Sequence, residues 1–306
     1  MAVTKDDLIA MLNEDMRGEH QAIVQYLQHA YAMGEGELPA EIEAIARDEM
    51  RHYDWLADAI VELGGTPTIE RAPVKRTKVH TENMQLDVIA EEEAIALYEQ
   101  HIAAIDDPKL VRLLERIVQD EKAHREDFVK FVGKTAAMAS EESEPAATQN
   151  LDPAAVAVLD EGIQHEYTVI VQYLHHSFTM PHCEISRELE MQAINEMQHL
   201  GWLAEEKSGM GGTVDIERTA VNQSPDTAEM LAADIRAEQA VTKVYSEQLQ
   251  GLEDEGLKQL IARIRDHEIY HGAVFGDLLH ALHEPAPKAQ VPAPSGLTVG
   301  SLKKSN

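Results

Sequence analysis

The chain contains two copies of one sequence unit, offset by 147 residues. At this offset no gap is needed to align IVQYL at 23–27 with 170–174, WLA at 55–57 with 202–204, and IER at 69–71 with 216–218. Three such matches at one offset do not arise by chance, so we infer a tandem duplication. The two units are therefore expected to share one fold.

Each unit carries the pattern of four helices. In the first unit, helices are predicted at about Thr4–Met33, 39–64, 81–105 and 108–133. The second unit repeats them at about 152–179, 184–208, 225–250 and 257–283. The connection 66–80 is long and polar, whereas the connections on either side of it are short. This pattern predicts an all-α fold of two four-helix bundles in tandem, each with one long crossover.

The domain boundaries follow from these helices. We assign residues 1–133 to the first bundle, 134–150 to a polar linker, 151–283 to the second bundle and 284–306 to a flexible, disordered tail. The length of 306 residues is sufficient for two domains with their own cores.

Composition excludes several classes of partner. A net charge of −29 argues against nucleic acid and anionic membranes and favours attraction of cations. No apolar leader or membrane-spanning run is found in the sequence. The single cysteine, Cys183, cannot form an intrachain disulfide and fits a reducing cytoplasm.

The sequence contains four Glu-x-x-His pairs, in which both side chains lie on one helical face and can reach one ion. They fall in the second and fourth helices of each unit, with the same 72-residue spacing in both. A single pair of this kind is common on surface helices, so their placement is what indicates a site. The pairs are Glu49/His52, Glu121/His124, Glu196/His199 and Glu268/His271.

The first and third helices supply the remaining carboxylates. Each candidate glutamate is followed seven residues later by a tyrosine on the same helical face. The candidates are Glu19, Glu91, Glu166 and Glu238, with Tyr26, Tyr98, Tyr173 and Tyr245. Glu92 and Glu93 have no counterpart in the second unit and are interpreted as solvated charges.

Four inward carboxylates and two imidazoles per unit match two divalent ions in charge. Without metal, four clustered carboxylates would repel one another. A mixed carboxylate and imidazole set suits iron or manganese better than structural zinc. The alternative is a network of polar side chains without metal.

These residues resemble the carboxylate-bridged di-iron proteins of the ferritin-like superfamily, and bacterioferritins above all. The similarity is carried by Glu19 with Tyr26, by DEMRH at 48–52, by Asp87 before Glu91, and by DEKAH at 120–124. It implies two di-iron centres per chain, bridged by Glu49 with Glu121 and by Glu196 with Glu268. It also implies one iron each for Glu19 with His52, Glu91 with His124, Glu166 with His199 and Glu238 with His271. Asp87, Asp234 and the tyrosines would orient the imidazoles or shape access to the irons.

Met50 and Met197 occupy the position of the axial haem ligand in bacterioferritins. The resemblance therefore implies that haem b could bind between the two halves of the chain or between two chains. The alternative is a methionine that fills a gap at a helix interface.

The carboxyl terminus reads LTVGSLKKSN after a spacer rich in proline and alanine. This segment closely resembles the cargo-loading peptide of encapsulin shells, so Leu297–Lys304 is expected to dock inside a shell. The alternative is an ordinary frayed terminus. Neither 134–150 nor 284–306 resembles the short fifth helix of cage-forming bacterioferritins, and association into a homo-oligomer stays open.

The resemblance implies a ferroxidase that oxidises Fe(II) with O2 or H2O2 and delivers Fe(III) for mineral storage inside the shell. One alternative is a rubrerythrin-like peroxidase, although one cysteine cannot form the four-cysteine iron site that usually supplies its electrons. Another alternative is a non-catalytic iron-binding cargo. An oxygenase is less favoured because no feature of the sequence marks an organic substrate pocket.

Overall fold

The computed structural model describes residues 3–141 and 152–283, and these residues form helices joined by turns and loops, with no strand. The first bundle consists of α1 (Lys5–Met33), α2 (Glu37–Glu62), α3 (His80–Ala104) and α4 (Pro108–Glu141). The second consists of α5 (Pro153–Thr179), α6 (Cys183–Gly209), α7 (Thr227–Gln248) and α8 (Glu255–His283). The predicted all-α fold of two four-helix bundles is confirmed.

Local signals in the sequence account for the ends of these helices. Thr4 and Asp7 form a reciprocal capping box at the start of α1, with N···O distances of 3.2 and 2.9 Å. α1 and α2 are followed by Gly34 and Gly64, whose φ angles are 77° and 68°. Glycine adopts this left-handed conformation without the steric penalty that other residues meet, so it ends both helices.

α4 extends beyond the predicted end at Gly133, so residues 134–141 of the predicted linker are helical instead. Thr135 is buried and donates its hydroxyl to the Phe131 carbonyl at 2.9 Å, while Lys134 pairs with Glu41 of α2 at 2.6 Å. These contacts, and the alanines that follow, favour continuation of the helix over a linker. Residues 142–150 of the predicted linker and the predicted tail at 284–306 lie outside the described residues.

Within each bundle, short connections join neighbouring helices as hairpins, α1 with α2 and α3 with α4. A crossover at 63–79 joins the two hairpins of the first bundle, and 210–226 does so in the second. The described helices include none that is long and apolar enough to cross a membrane.

The two bundles pack against each other about a pseudo-two-fold axis. Arg71 contacts the Ile216 carbonyl and Glu217, and its counterpart Arg218 contacts the Ile69 carbonyl and Glu70 in return. His20 Nε2 and the Tyr167 hydroxyl are hydrogen-bonded at 2.8 Å. His20 and Tyr167 occupy the same position in the two units, so this bond lies at the axis. Reciprocal contacts of this kind define an isologous interface within one chain.

The hydrophobic core also continues from one bundle into the other. The equivalent residues Val24 and Val171 are both buried in one apolar cluster that includes side chains from both units. Apolar area shared in this way stabilises the relative position of the bundles.

Candidate metal centres

Six side chains predicted as ligands in the first unit meet in the middle of the first bundle. α1 and α3 each contribute one glutamate, and α2 and α4 each contribute one Glu-x-x-His pair. All six side chains are at most 5% exposed. This first centre consists of Glu19, Glu49, His52, Glu91, Glu121 and His124.

The first centre divides into two overlapping groups of potential ligands, within each of which the donor atoms lie at most 4.8 Å apart. One group contains Glu19 and His52, the other contains Glu91 and His124, and both contain Glu49 and Glu121. Two carboxylates common to both groups are what a bridged pair of ions requires.

The two oxygens of each shared carboxylate face different imidazoles. Glu49 Oε2 lies 2.9 Å from His52 Nδ1, and Glu49 Oε1 lies 2.9 Å from His124 Nδ1. Glu121 Oε1 lies 2.9 Å from His52 Nδ1, and Glu121 Oε2 lies 3.5 Å from His124 Nδ1. Glu49 and Glu121 therefore span both ligand groups.

The second bundle reproduces this geometry in a second centre whose six side chains are at most 2% exposed. Glu196 places its two oxygens 2.7 and 2.6 Å from His199 Nδ1 and His271 Nδ1, respectively. Glu268 places its oxygens 3.0 and 3.2 Å from the same two atoms. The second centre consists of Glu166, Glu196, His199, Glu238, Glu268 and His271.

Hydrogen bonds alone do not satisfy these buried groups. The single Nδ1–H of His52 faces oxygens of both Glu49 and Glu121 at 2.9 Å, and it can be donated to one of them. Glu121 Oε1 and both oxygens of Glu196 are buried without a hydrogen-bond partner. Each such atom costs about 1–3 kcal/mol when left unpaired.

Metal ions would satisfy the same atoms. An ion held at about 2.1 Å with near-right angles separates neighbouring ligand atoms by about 3 Å, which is the spacing found between these donors. The donor set therefore fits a pair of divalent ions in each bundle better than a polar network without metal.

Each of the four tyrosines that follow a candidate glutamate by seven residues donates a hydrogen bond to a glutamate on another helix. None of them binds the glutamate that precedes it on its own helix. Tyr26 on α1 donates to Glu91 on α3 at 2.7 Å, and Tyr98 on α3 donates to Glu19 on α1. This crossed pairing arises because α1 and α3 run antiparallel. In the second bundle, Tyr245 donates to Glu166 at 2.6 Å and Tyr173 donates to Glu238.

Asp87, predicted to orient an imidazole of the centre, binds a different histidine. Its carboxylate contacts His29 Nδ1 and accepts from Gln25 Nε2, both at 2.8 Å, and His29 Nε2 lies 3.1 Å from the Lys75 carbonyl of the crossover. Asp234 repeats this arrangement with His176 and Gln172. These aspartates therefore anchor the crossovers to the bundles.

Two aspartates lie near Nε2 of the ligand imidazoles, the nitrogen that points away from the glutamates. Their role was not predicted from the sequence. Asp48 Oδ2 lies 3.4 Å from His124 Nε2, and Asp120 Oδ2 lies 3.5 Å from His52 Nε2. Each aspartate immediately precedes the glutamate of a Glu-x-x-His pair, which is the signal that could have found them. A carboxylate at this nitrogen orients the ring and increases its basicity.

The second centre differs at these positions. Asn195 replaces Asp48, and His267 replaces Asp120. His267 Nδ1 lies 2.9 Å from His199 Nε2. Burial, followed by the nearby His199, lowers the pKa of His267.

Met50 and Met197 are half-buried and pack against the apolar cluster shared by the two bundles.

Glu92 and Glu93 are exposed and pair with Arg125 and Lys75. Both glutamates are thus surface charges, as expected from the sequence.

Several potential ligands in the two centres have raised pKa values. Burial, together with the neighbouring Glu121, raises the pKa of Glu19, and burial with Glu49 raises that of Glu91. Burial opposes the charged form of His124, but hydrogen bonds to Glu121 and Glu49 raise its pKa to about 11. The same balance raises the pKa of His271 to about 9.

These raised pKa values predict that metal binding releases protons, because a ligand carboxyl or imidazolium must be deprotonated to coordinate an ion. Affinity for Co²⁺ should therefore increase from pH 6 to pH 8. Calorimetric titration in buffers of different ionisation enthalpy measures the protons released per ion. Binding without proton release, or with affinity independent of pH, would contradict the assignment of these side chains as ligands.

Comparison with known proteins assigns both bundles to one family. The ferritin-like domain model matches residues 9–138 and 156–284, one match per bundle. A bacterioferritin of Desulfovibrio desulfuricans is 36% identical over 131 residues, which cover 39% of this chain and 71% of that protein. Bacterioferritin BfrA of Mycobacterium tuberculosis is 32% identical over 125 residues, covering 39% and 79%.

Among solved structures, the D. desulfuricans bacterioferritin is 30% identical, with a TM-score of 0.43, over 49% of this chain and 94% of that one. Among protein sequences, a Streptomyces coelicolor bacterioferritin is also similar, with 34% identity over 125 residues, which cover 39% of this chain and 75% of that protein. The chain belongs to the ferritin-like family, and its relatives are bacterioferritins.

Proposed function

We propose that the protein is a ferroxidase with two di-iron centres per chain, one in each bundle. The observation that carries this proposal is the sharing of two carboxylates between two four-ligand groups in each bundle. Similarity to bacterioferritins favours iron over other divalent metals. All twelve predicted ligands lie in these two clusters.

The reaction balances for one pair of ions at each centre. Two Fe(II) give up one electron each, and these two electrons with two protons reduce O2 to H2O2. When H2O2 is the oxidant, two electrons and two protons reduce it to two water molecules. The chain holds the ions close together through Glu49 and Glu121, and Tyr26 and Tyr98 fix the outer glutamates by hydrogen bonds. Fe(III) then leaves for mineral storage.

Removing one shared carboxylate should abolish one centre and leave the other. Anaerobic titration is expected to show about four Fe(II) per chain in the natural protein and about two in Glu49→Ala or Glu196→Ala. The double variant should bind none at these sites. In a single turnover, each single variant should oxidise about two Fe(II) per chain instead of about four, because the two centres are separate ligand sets.

Glu92→Ala is the matched control, because Glu92 lies on α3 next to Glu91 but is exposed and pairs with Arg125. It should retain full binding and full oxidation rate. Full Fe(II) binding by Glu49→Ala would show that the ligand assignment is wrong. Faster oxidation by H2O2 than by O2 would favour the peroxidase alternative, and stoichiometric binding without turnover would favour iron-binding cargo.

We also propose that Leu297–Lys304 docks the protein inside an encapsulin shell in the cytoplasm. The support is the sequence LTVGSLKK at the end of a spacer rich in proline and alanine. Three apolar side chains spaced along a short peptide suit a groove on a partner. The segment lies outside the described residues. The shell would provide the storage volume and this chain the oxidation chemistry.

Deletion of 297–306 should abolish encapsulation when the chain is co-expressed with an encapsulin shell protein. Deletion of Ser305 and Asn306 alone is the control and should preserve it. Co-purification of cargo with intact shells, followed by gel densitometry, measures the outcome. Undiminished loading after the longer deletion would overturn the docking proposal without affecting the metal centres.

A haem b site that uses Met50 and Met197 is proposed as a further cofactor site. The support is that the two methionines are equivalent by the 147-residue offset and both pack against the cluster shared by the bundles. Thioether ligation raises the potential of haem iron, which suits electron transfer.

Protein expressed with ample haem should show a Soret band that is lost or shifted in Met50→Leu and in Met197→Leu. Met191→Leu is the control, because Met191 lies on the same helix as Met197 but is 51% exposed. No Soret band in the natural protein would contradict haem binding, and packing would then be the role of both methionines.

A further inference from the structure

The two centres differ in the residues that surround them on one side of the bundle. In the first bundle a cavity of about 330 Å³ lies between α1 and α3 and is lined by Glu19, Glu91 and Glu121 of the centre. A cavity of this size holds several water molecules. The first centre therefore borders a space large enough for a hydrated ion that is losing its water.

Small residues create this space. Gly18 and Ala22 on α1 and Ala90 and Ala94 on α3 line the cavity. A Cβ added at Gly18 would meet nothing within 4 Å. Because these positions carry little or no side chain, α1 and α3 leave a gap in front of the carboxylates.

The outer lining of the cavity is charged. Glu14 and Glu93 are exposed lining residues, and Arg17 lies beside them. The net charge of the whole chain, −29, adds to the attraction of cations toward this opening. Glu93 pairs with Lys75, so the attraction to a divalent cation comes mainly from the buried carboxylates of Glu19, Glu91 and Glu121 at the inner end of the cavity.

Bulkier residues occupy the same positions in the second bundle. His165 replaces Gly18, Val169 replaces Ala22 and Val241 replaces Ala94. Val169 and Val241 are only 2% and 3% exposed, so they fill the interior between the helices. His165 Nε2 is buried without a hydrogen-bond partner, which places an imidazole at the position that is open in the first bundle.

Packing around the second centre is tight on this side. Gly162 stands at the position of Asp15, and a Cβ added there would meet Leu203 Cδ1 at 2.9 Å and the Tyr245 hydroxyl at 3.1 Å. Tyr245 is the tyrosine that donates to Glu166 of the centre. The acidic lining residue Glu93 is also replaced, by Ala240.

We propose that the α1/α3 cavity is an access route for divalent metal ions to the first centre, and that the side chains of His165, Val169 and Val241 close this route in the second bundle. The first centre then loads rapidly, and the second loads only after a transient opening between its helices. This division of roles rests on the proposed function of the two clusters as metal centres.

The chain provides a separate reporter for each centre. Of its two tryptophans, Trp55 has its ring centroid 5.7 Å from that of His52, and Trp202 has its centroid 5.6 Å from that of His199. A bound paramagnetic ion quenches the fluorescence of the adjacent indole. Trp202→Phe therefore leaves a signal from the first centre, and Trp55→Phe leaves one from the second.

The test is stopped-flow mixing of each single-tryptophan protein with Co²⁺, which air does not oxidise under these conditions. Quenching of Trp55 should be at least about tenfold faster than quenching of Trp202, because binding that awaits an opening is slow. In Gly18→His/Ala22→Val/Ala94→Val, the Trp55 rate should fall to that of the second centre while the equilibrium amount of Co²⁺ bound stays the same.

The reverse variant is His165→Gly/Val169→Ala/Val241→Ala, and it should accelerate quenching of Trp202. It tests the route even if the Gly18→His/Ala22→Val/Ala94→Val variant does not fold. Equal rates for the two tryptophans, or rates that neither variant changes, would overturn the access route and leave the metal centres intact. No quenching of either tryptophan at saturating Co²⁺ would instead overturn the proposed metal centres themselves.

Discussion

The concentration of carboxylates in the middle of each bundle is the constraint around which the chain is built. Four glutamates from four helices are nearly inaccessible to water in each centre. Ionised together they would repel strongly, so without metal they hold protons or face imidazolium groups. The crossed tyrosine bonds, from Tyr26 to Glu91 and from Tyr98 to Glu19, keep the carboxylates in place. Two divalent ions would balance their charge.

Fusion of the two units allows them to differ where two identical subunits could not. At the pseudo-two-fold axis, identical chains would place the same residue on both sides. Here a histidine and a tyrosine, His20 and Tyr167, meet and form one hydrogen bond. Burial, with help from the nearby Arg71, lowers the pKa of His20 to about 3, so a neutral imidazole shares this hydrogen bond with the tyrosine hydroxyl. For the same reason, the second unit can carry His267 where the first has Asp120, and His165 where the first has Gly18.

Sequence reasoning predicted the helices and the twelve side chains that meet in the two centres, because helical spacing and the repeat offset are properties of one chain segment at a time. The partner of each tyrosine was not predictable in this way, since the bond from Tyr26 to Glu91 depends on how α1 and α3 pack. Asp87 was expected to orient an imidazole of the centre or shape access to the irons, and its contact with His29 was not predictable for the same reason. The continuation of α4 to Glu141 depends on contacts of Thr135 and Lys134 that local turn signals do not reveal.

The central claim is that each bundle holds a pair of ions bridged by two glutamates. A crystal structure of the Fe(II)-loaded chain, grown without oxygen and recorded at the iron absorption edge, tests it most directly. Two anomalous peaks are expected in each bundle, one pair between Glu49 and Glu121 and the other between Glu196 and Glu268. A single peak per bundle, or peaks away from these carboxylates, would contradict it.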